Sequence, residues 1–215
     1  SDGTVGFVTN ELSGGTHRIT LTVTDEMDEP CTTSVYYNVT NDLPVMDTVT
    51  ITPNPAYNDD AITCEATATD PDGETISIEY AWTGGITGPT FALDSSIASP
   101  GDTLTCTATA TDEYGGTATG TANITLTNRD PSVAVSLTPE VVSVDDVITC
   151  TATDLSDPDD DTVTATFSWT INGTAVAAST TPGTESTLSG GYESSDVIRC
   201  TASAEDGRGG TATAE

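Results

Sequence analysis

The chain has 215 residues and a formal net charge of −30, with 34 acidic residues against 4 basic ones and no lysine. It cannot neutralise phosphates, so nucleic acid and anionic membranes are excluded as partners, and divalent cations become its natural counterions. No apolar run approaches the roughly 18 residues a membrane helix needs, so no membrane insertion is expected in this segment.

From the start of the chain, Ile19, Leu21 and Val23 alternate with polar residues, and Val35, Tyr37 and Val39 do the same further on. Period-two alternation marks half-buried β-strands. Two strands cannot cover this apolar face, so missing sequence or a neighbouring subunit is expected to cover it. Cys31 begins the second of these strands; it pairs with a cysteine upstream, links to another chain or stays free.

The next stretch alternates more cleanly still. Ile62, Cys64, Ala66 and Ala68 share one face against threonines and Glu65, and Ile76, Ile78, Tyr80 and Trp82 follow the same rule. Leu104, Cys106, Ala108 and Ala110 form a third inward set, and Ala118, Gly120, Ala122, Ile124 and Leu126 a fourth. The scheme then recurs with Ile148/Cys150/Ala152, Val163/Ala165/Phe167/Trp169 and Ile198/Cys200/Ala202/Ala204. Ile62-Thr-Cys64 and Ile148-Thr-Cys150 each open a nearly repeated sequence, so the chain is a tandem array of one small β domain. Outward threonines suit an exposed strand face, and O-glycans or a regular lattice such as ice are the alternative uses for such rows.

Aligning Asp25 with Asp112 and Asp206 brings Asn41 onto Asn128. The expected domains are residues 1–41 (the trailing half of a sandwich), 42–128, and 129–215 with its last strand incomplete. The chain reads as a fragment of something larger. An incomplete edge also allows strand exchange between molecules, as in a homopolymer.

Four cysteines fall as matched pairs, Cys64/Cys106 and Cys150/Cys200, each on an apolar strand face. No C-x-x-C spacing suggests a zinc site. Bridging each pair would stabilise a domain by about 4 kcal/mol and indicate an oxidising compartment; buried free thiols are the other reading.

The order cysteine, tryptophan (Trp82 or Trp169), cysteine resembles the immunoglobulin fold, with cysteines on strands B and F and tryptophan on C. The resemblance implies all-β architecture, as tandem immunoglobulin-like antiparallel β-sandwiches in an elongated rod, with Cys64–Cys106 and Cys150–Cys200 disulfides. The residue two before the second cysteine is Leu104 or Ile198, so the tyrosine corner is missing and an antibody-type domain is not expected. Asp70-Pro-Asp-Gly and the linkers Asn41-Asp-Leu-Pro and Asn128-Arg-Asp-Pro are similar to PKD-like and cadherin-like repeats of large microbial surface proteins. Residues 15–25 look like the end of a PKD-type domain.

In such a sandwich the B–C and F–G loops emerge at the same end as the entering linker. This gathers Asn41, Asp42, Asp70, Asp72, Glu74, Asp112 and Glu113 at the first junction, and Asn128, Asp130, Asp157, Asp159, Asp160, Asp161 and Asp206 at the second. Calcium accepts six to eight oxygens from irregular loops and suits these clusters better than magnesium, which demands a strict octahedron. Ordinary turn chemistry explains Asp-Pro-Asp-Gly without any ion. Asp59, Asp60, Asp145 and Asp146 belong to the opposite end and read as solvated loop charges.

Nothing favours an enzyme. His17 is the only histidine, at a packed or edge position, and the carboxylates lie in turns rather than in a cleft. Asn38, Asn123 and Asn172 fit the N-glycosylation pattern. The leading expectation is a structural repeat region of an extracellular or cell-surface protein (fibre, adhesin stalk or sheath), stiffened by Ca2+ at its junctions. Its partners would be neighbouring repeats or subunits of the same protein. The alternatives are a glycan- or protein-binding module, with Tyr114 and Tyr192 as loop aromatics, and the accessory repeats of a secreted hydrolase.

Overall fold

A computed structural model describes residues 14–24, 27, 29–176 and 182–215; Asp25, which set the repeat alignment, lies outside them. The described residues contain no helix. Strands β1 (Gly15–Thr24) and β2 (Pro30–Val39) form an antiparallel hairpin. Ile19 pairs with Val35, His17 with Tyr37 and Val23 with Cys31, all on one face. That face stays open, with Leu21 46%, Val23 56%, Val35 56% and Tyr37 53% exposed. Cys31 is an exposed free thiol.

The second repeat begins with β3 (Val45–Thr52), β4 (Ala61–Thr69) and β5 (Ser77–Trp82), followed by β6 (Thr90–Ala92), β7 (Thr103–Thr111) and β8 (Thr117–Thr125). They form two sheets, β3-β4-β6 and β5-β7-β8. The third repeat runs β9 (Ser132–Thr138), β10 (Val147–Ser156), β11 (Thr164–Ile171), β12 (Thr174–Val176), β13 (Glu185–Ser189), β14 (Ile198–Glu205) and β15 (Thr211–Ala214). Its sheets are β13-β10-β9 and β12-β11-β14-β15. Both repeats thus carry the immunoglobulin-like division, with strands A, B and E against C, F and G.

The sulfur bridges form as the spacing implied, Cys64–Cys106 and Cys150–Cys200, each with Cα atoms 6.4 Å apart. Each tryptophan pairs in register with the second cysteine, Trp82 with Cys106 and Trp169 with Cys200. Trp169 and Phe167 pack with Ile148, Ala165, Leu188 and the disulfide in the core of the third repeat. The indole N–H of Trp169 donates to Ser186 Oγ at 3.0 Å, so a buried donor is satisfied. On the solvent faces threonine hydroxyls pair across strands, Thr63 with Thr90 at 3.0 Å and Thr103 with Thr125 at 2.8 Å. Such cross-strand pairs support a sheet without any ligand.

Two loop expectations are corrected. Tyr192 is not an exposed loop aromatic: it is 6% exposed, and its hydroxyl donates to the carbonyls of Asp146 and Ser143. It packs on the core and ties the loop before β10 in place. Burial, then the nearby Asp146 and Asp145 carboxylates, pushes its phenol up.

Tertiary contacts divide the chain into two compact units. One takes in the chain up to Thr50 with Cys64–Pro89 and Thr105–Ala122; the other comprises Ile51–Thr63, Thr90–Leu104 and Asn123–Glu215. The second unit therefore holds loop residues 56–60 and 94–102 in the same packed body as the third repeat. The solvated charges expected there are not all free: Asp59 meets Arg129, while Asp60 and Asp146 accept the backbone N–H of Tyr57 and Ser143.

Candidate metal sites

The turn after strand B supplies the first carboxylates of each cluster. Asp70 Oδ1 accepts the N–H groups of Asp72 at 2.8 Å and Glu74 at 3.5 Å, a side-chain-to-backbone turn typical of Asp. In the third repeat Asp157 Oδ1 accepts the N–H of Asp159 at 2.7 Å. Asp157 stands one residue further from its cysteine than Asp70 does. The extra residue is absorbed by a register shift between Thr153 and Ser156, where Asp154 takes a φ of 52°. A bulge of this kind re-aims the strand end, so the loop arrives in the same place despite the insertion.

The F–G turn supplies a second wall. Asp112 Oδ1 accepts the N–H groups of Tyr114 and Gly116, both at 2.8 Å. Its other oxygen accepts the side-chain amide of Asn41 at 3.0 Å. Asp206 repeats the pattern: Oδ1 accepts from Arg208 at 2.6 Å and Gly210 at 3.0 Å, and Oδ2 from Asn128 at 2.7 Å. A Cβ at Gly116 or Gly210 would run into these carboxylates, so both positions require glycine. The linker is fixed again one residue on, where the N–H of Asp42 reaches Asp72 Oδ2 at 2.7 Å and that of Arg129 reaches Asp159 Oδ2 at 2.6 Å.

These bonds leave the same oxygens over in both clusters. Asn41 Oδ1, Asp70 Oδ2 and Glu74 Oε2 in the first, and Asn128 Oδ1, Asp157 Oδ2 and Asp161 Oδ2 in the second, are buried with no hydrogen-bond partner among the described residues. A buried unsatisfied polar atom costs roughly 1–3 kcal/mol, more when charged. Oxygens of Asp70, Glu74 and Asp112 lie within 4.8 Å of one another, as do those of Asp157, Asp159 and Asp161. An all-oxygen set from irregular loops, rich in carboxylate, matches what calcium takes.

The electrostatics agree. Burial pushes the Glu74 carboxyl up, and so do its neighbours Asp70, Asp112, Asp72 and Glu113. Asp112 is held below the usual carboxylate range, first by the Asn41 amide and then by the backbone N–H groups of its loop. Burial opposes ionisation of Asp206, but the Asn128 amide and the turn N–H groups outweigh it and hold this carboxyl low as well.

Not every expected ligand presents a carboxylate. Asp42 contributes its backbone N–H and is itself exposed. Asp130 accepts the N–H of Thr211 at 3.3 Å from an exposed position, and Asp160 accepts the Ser95 hydroxyl at 3.3 Å. Asp72 and Asp159 act as linker anchors. Sequence reasoning missed Gly116, Gly210, Arg129, Arg208 and Asn58. A signal for the glycines was present, since Asp112-Glu-Tyr-Gly-Gly-Thr117 and Asp206-Gly-Arg-Gly-Gly-Thr211 share one pattern.

No protein-family model matches the sequence. No curated protein matches it either. Among solved structures it is similar to part of a 1.5-MDa bacterial ice-binding adhesin, at 16% identity over 94% of this chain and 72% of that one, with a TM-score of 0.31. It is similar to the Protocadherin GammaB4 extracellular domain at 16% identity over 97% of this chain and 37% of that one, TM-score 0.33. For the human Desmocollin-1 ectodomain the figures are 15%, 86%, 38% and 0.27. At these values the likeness transfers no residue's role to this chain.

Proposed function

We propose that this chain is a structural segment of an extracellular or cell-surface protein, in which calcium bound at the two loop clusters holds linker and sandwich together. The observation that carries the reading is the repeated triplet of buried oxygens left without donors among the described residues, Asn41/Asp70/Glu74 and Asn128/Asp157/Asp161. Asn41, Asp70, Glu74 and Asp112 would hold the ion in the first cluster, and Asn128, Asp157 and Asp161 in the second. The ion supplies positive charge where the fold has buried negative charge. It also ties the entering linker to two loops, which stiffens the passage from one repeat to the next.

The role is mechanical: a spacer or stalk in a fibre, adhesin or sheath, laid out as a rod of sandwiches. Two core disulfides fit an oxidising exterior, and the acidic surface favours solubility there. Neighbouring repeats or a second copy are the partners that would cover the open hairpin face. The test is calorimetric titration of the whole chain with Ca2+, alongside melting in Ca2+ and in excess chelator. Loss of the first cluster's share of the binding heat in Asp70→Asn, with a melting point lowered by chelation, is expected. Identical melting in both buffers and no heat of binding would overturn the reading.

A further inference from the structure

Two of the four basic residues of the chain stand at the second cluster. Arg129 occupies the linker position that Asp42 holds in the first cluster, and Arg208 the F–G loop position of Tyr114. Arg129 donates from Nε to Asp159 Oδ1 at 2.8 Å. Its terminal nitrogens reach Asp59 Oδ1 at 2.9 Å, the Pro158 carbonyl at 2.8 Å and Asn58 Oδ1 at 3.3 Å. Its guanidinium carbon lies 4.9 Å from the centre of the Tyr57 ring. Asn58 closes the circuit by donating to the Asp159 carbonyl at 2.6 Å.

Arg208 repeats the device from the other loop. Nε donates to Asp161 Oδ1 at 2.7 Å, and a terminal nitrogen reaches the Pro100 carbonyl at 2.8 Å. The side chain of Asp159 is 0% exposed and that of Asp161 14%. The carboxylates of Asp159 and Asp161 are the buried ends of these pairs, while Asp59 is 61% exposed. Removing an arginine would strand a buried charge, which costs far more than breaking a surface pair, and the planar fork fixes the geometry. In the first cluster all four charged groups acting on Glu74 are acidic.

We propose that Arg129 and Arg208 form an internal guanidinium lock that holds the loops around Tyr57–Asp60 and Pro100 to those at Asp157–Asp161 and Asp206–Gly210 without a divalent cation. The two clusters then differ in kind. The first keeps its loops together only with an added ion. The second, although its orphaned oxygens can also take one, holds its loops without it through two positive charges in its own side chains. One extra positive charge near a carboxylate cluster lowers its affinity for a cation by about tenfold or more. The contrast rests on the calcium reading of the first cluster; the lock itself does not.

Hydrogen exchange on the whole chain, in Ca2+ and in chelator, tests it. Amides of residues 72–74 and 114–116 are expected to lose protection by about tenfold or more on chelation, while those of Arg129, Asp159, Asp160 and Gly210 stay unchanged. Arg129→Gln should lower protection at residues 58–60 and 157–161 and make it responsive to Ca2+. Arg199→Gln, which removes the exposed pair with Glu215, should change neither cluster. If Arg129→Gln fails to fold, Arg208→Gln gives the same reading from the more exposed partner. Chelation that opens both clusters equally, or arginine variants that leave protection intact, would overturn the lock. If neither cluster responds to Ca2+ while the arginine variants still open the second, the lock stands and the calcium reading fails.

Discussion

Asn41 donates its side-chain amide to Asp112 across 71 residues of sequence, at 3.0 Å, while its own oxygen stays buried without a donor among the described residues. One bond thereby orients a linker residue and fixes the ionised state of a buried carboxylate. Asn41→Ala leaves the second oxygen of Asp112 without its donor. The expected loss is about 1–3 kcal/mol of stability, read as a lower urea midpoint. Asn41→Asp should be worse in chelator, because it sets two carboxylates against each other.

Gly116 and Gly210 lie where any side chain would collide with the carboxylate of Asp112 or Asp206. Gly116→Ala is expected to displace the F–G loop, costing about 1–3 kcal/mol and weakening Ca2+ binding together with stability. The adjacent Gly115, with a φ of 86° and open space around it, should tolerate Asn far better. Thermal melts of the two variants side by side check this.

The disulfides join strands B and F across the sandwich core. Replacing Cys150 and Cys200 by serine should cost about 4 kcal/mol through the unfolded chain's regained freedom. The same exchange at Cys31, an exposed thiol, should leave monomer stability unchanged. Denaturant titration of the two variants separates them.

Glu74 yields a prediction of opposite signs. Its carboxyl is pushed up by burial and by four acidic neighbours, so its charge works against folding at neutral pH when nothing balances it. Glu74→Gln should therefore raise the melting point in chelator and lower it, relative to the parent chain, in saturating Ca2+. A shift of the same sign in both buffers would show that Glu74 does not face an ion.

Acid should unfold the chain through a different set. Asp112, Asp206, Asp94 and Asp196 all have carboxyls held below the ordinary range. For Asp94 the cause is chiefly the Ser96 hydroxyl, and for Asp196 the Glu193 N–H and the Asn172 amide. A folded-state pKa below the unfolded one contributes stability above about pH 4, lost as pH falls through the lowered values. Melting in chelator across pH 2 to 6 should therefore drop steeply below about pH 4. Asp112→Asn should blunt that drop.

The sandwiches were legible because their signal is local and repeated. Period-two alternation put Cys64, Cys106, Cys150 and Cys200 on inward faces, and all four are nearly fully buried. The convergence of Asp70 with Asp112 followed from topology alone, since strand order decides which turns share an end. What each side chain does within that end was not legible. Whether Asp72 faces an ion or the N–H of Asp42 depends on backbone angles inside a short loop. Arg129 reads from sequence as a lone basic residue in a linker; its partners Asp59 and Asp159 lie in two different loops that only the fold brings together. Tyr192 misled for the same reason, a residue in a loop by pattern whose ring the core claims.

Tension would meet these repeats in an unusual way. Residues 64 to 106 and 150 to 200 are each closed by a covalent bond spanning 42 and 50 positions. At about 3.6 Å per extended residue, roughly 150 Å and 180 Å of slack stay locked even when the strands part. Each repeat can then lengthen under load only through the residues that lie outside its closed loop. Under reducing conditions the same repeats would release that reserve and extend further before they stiffen.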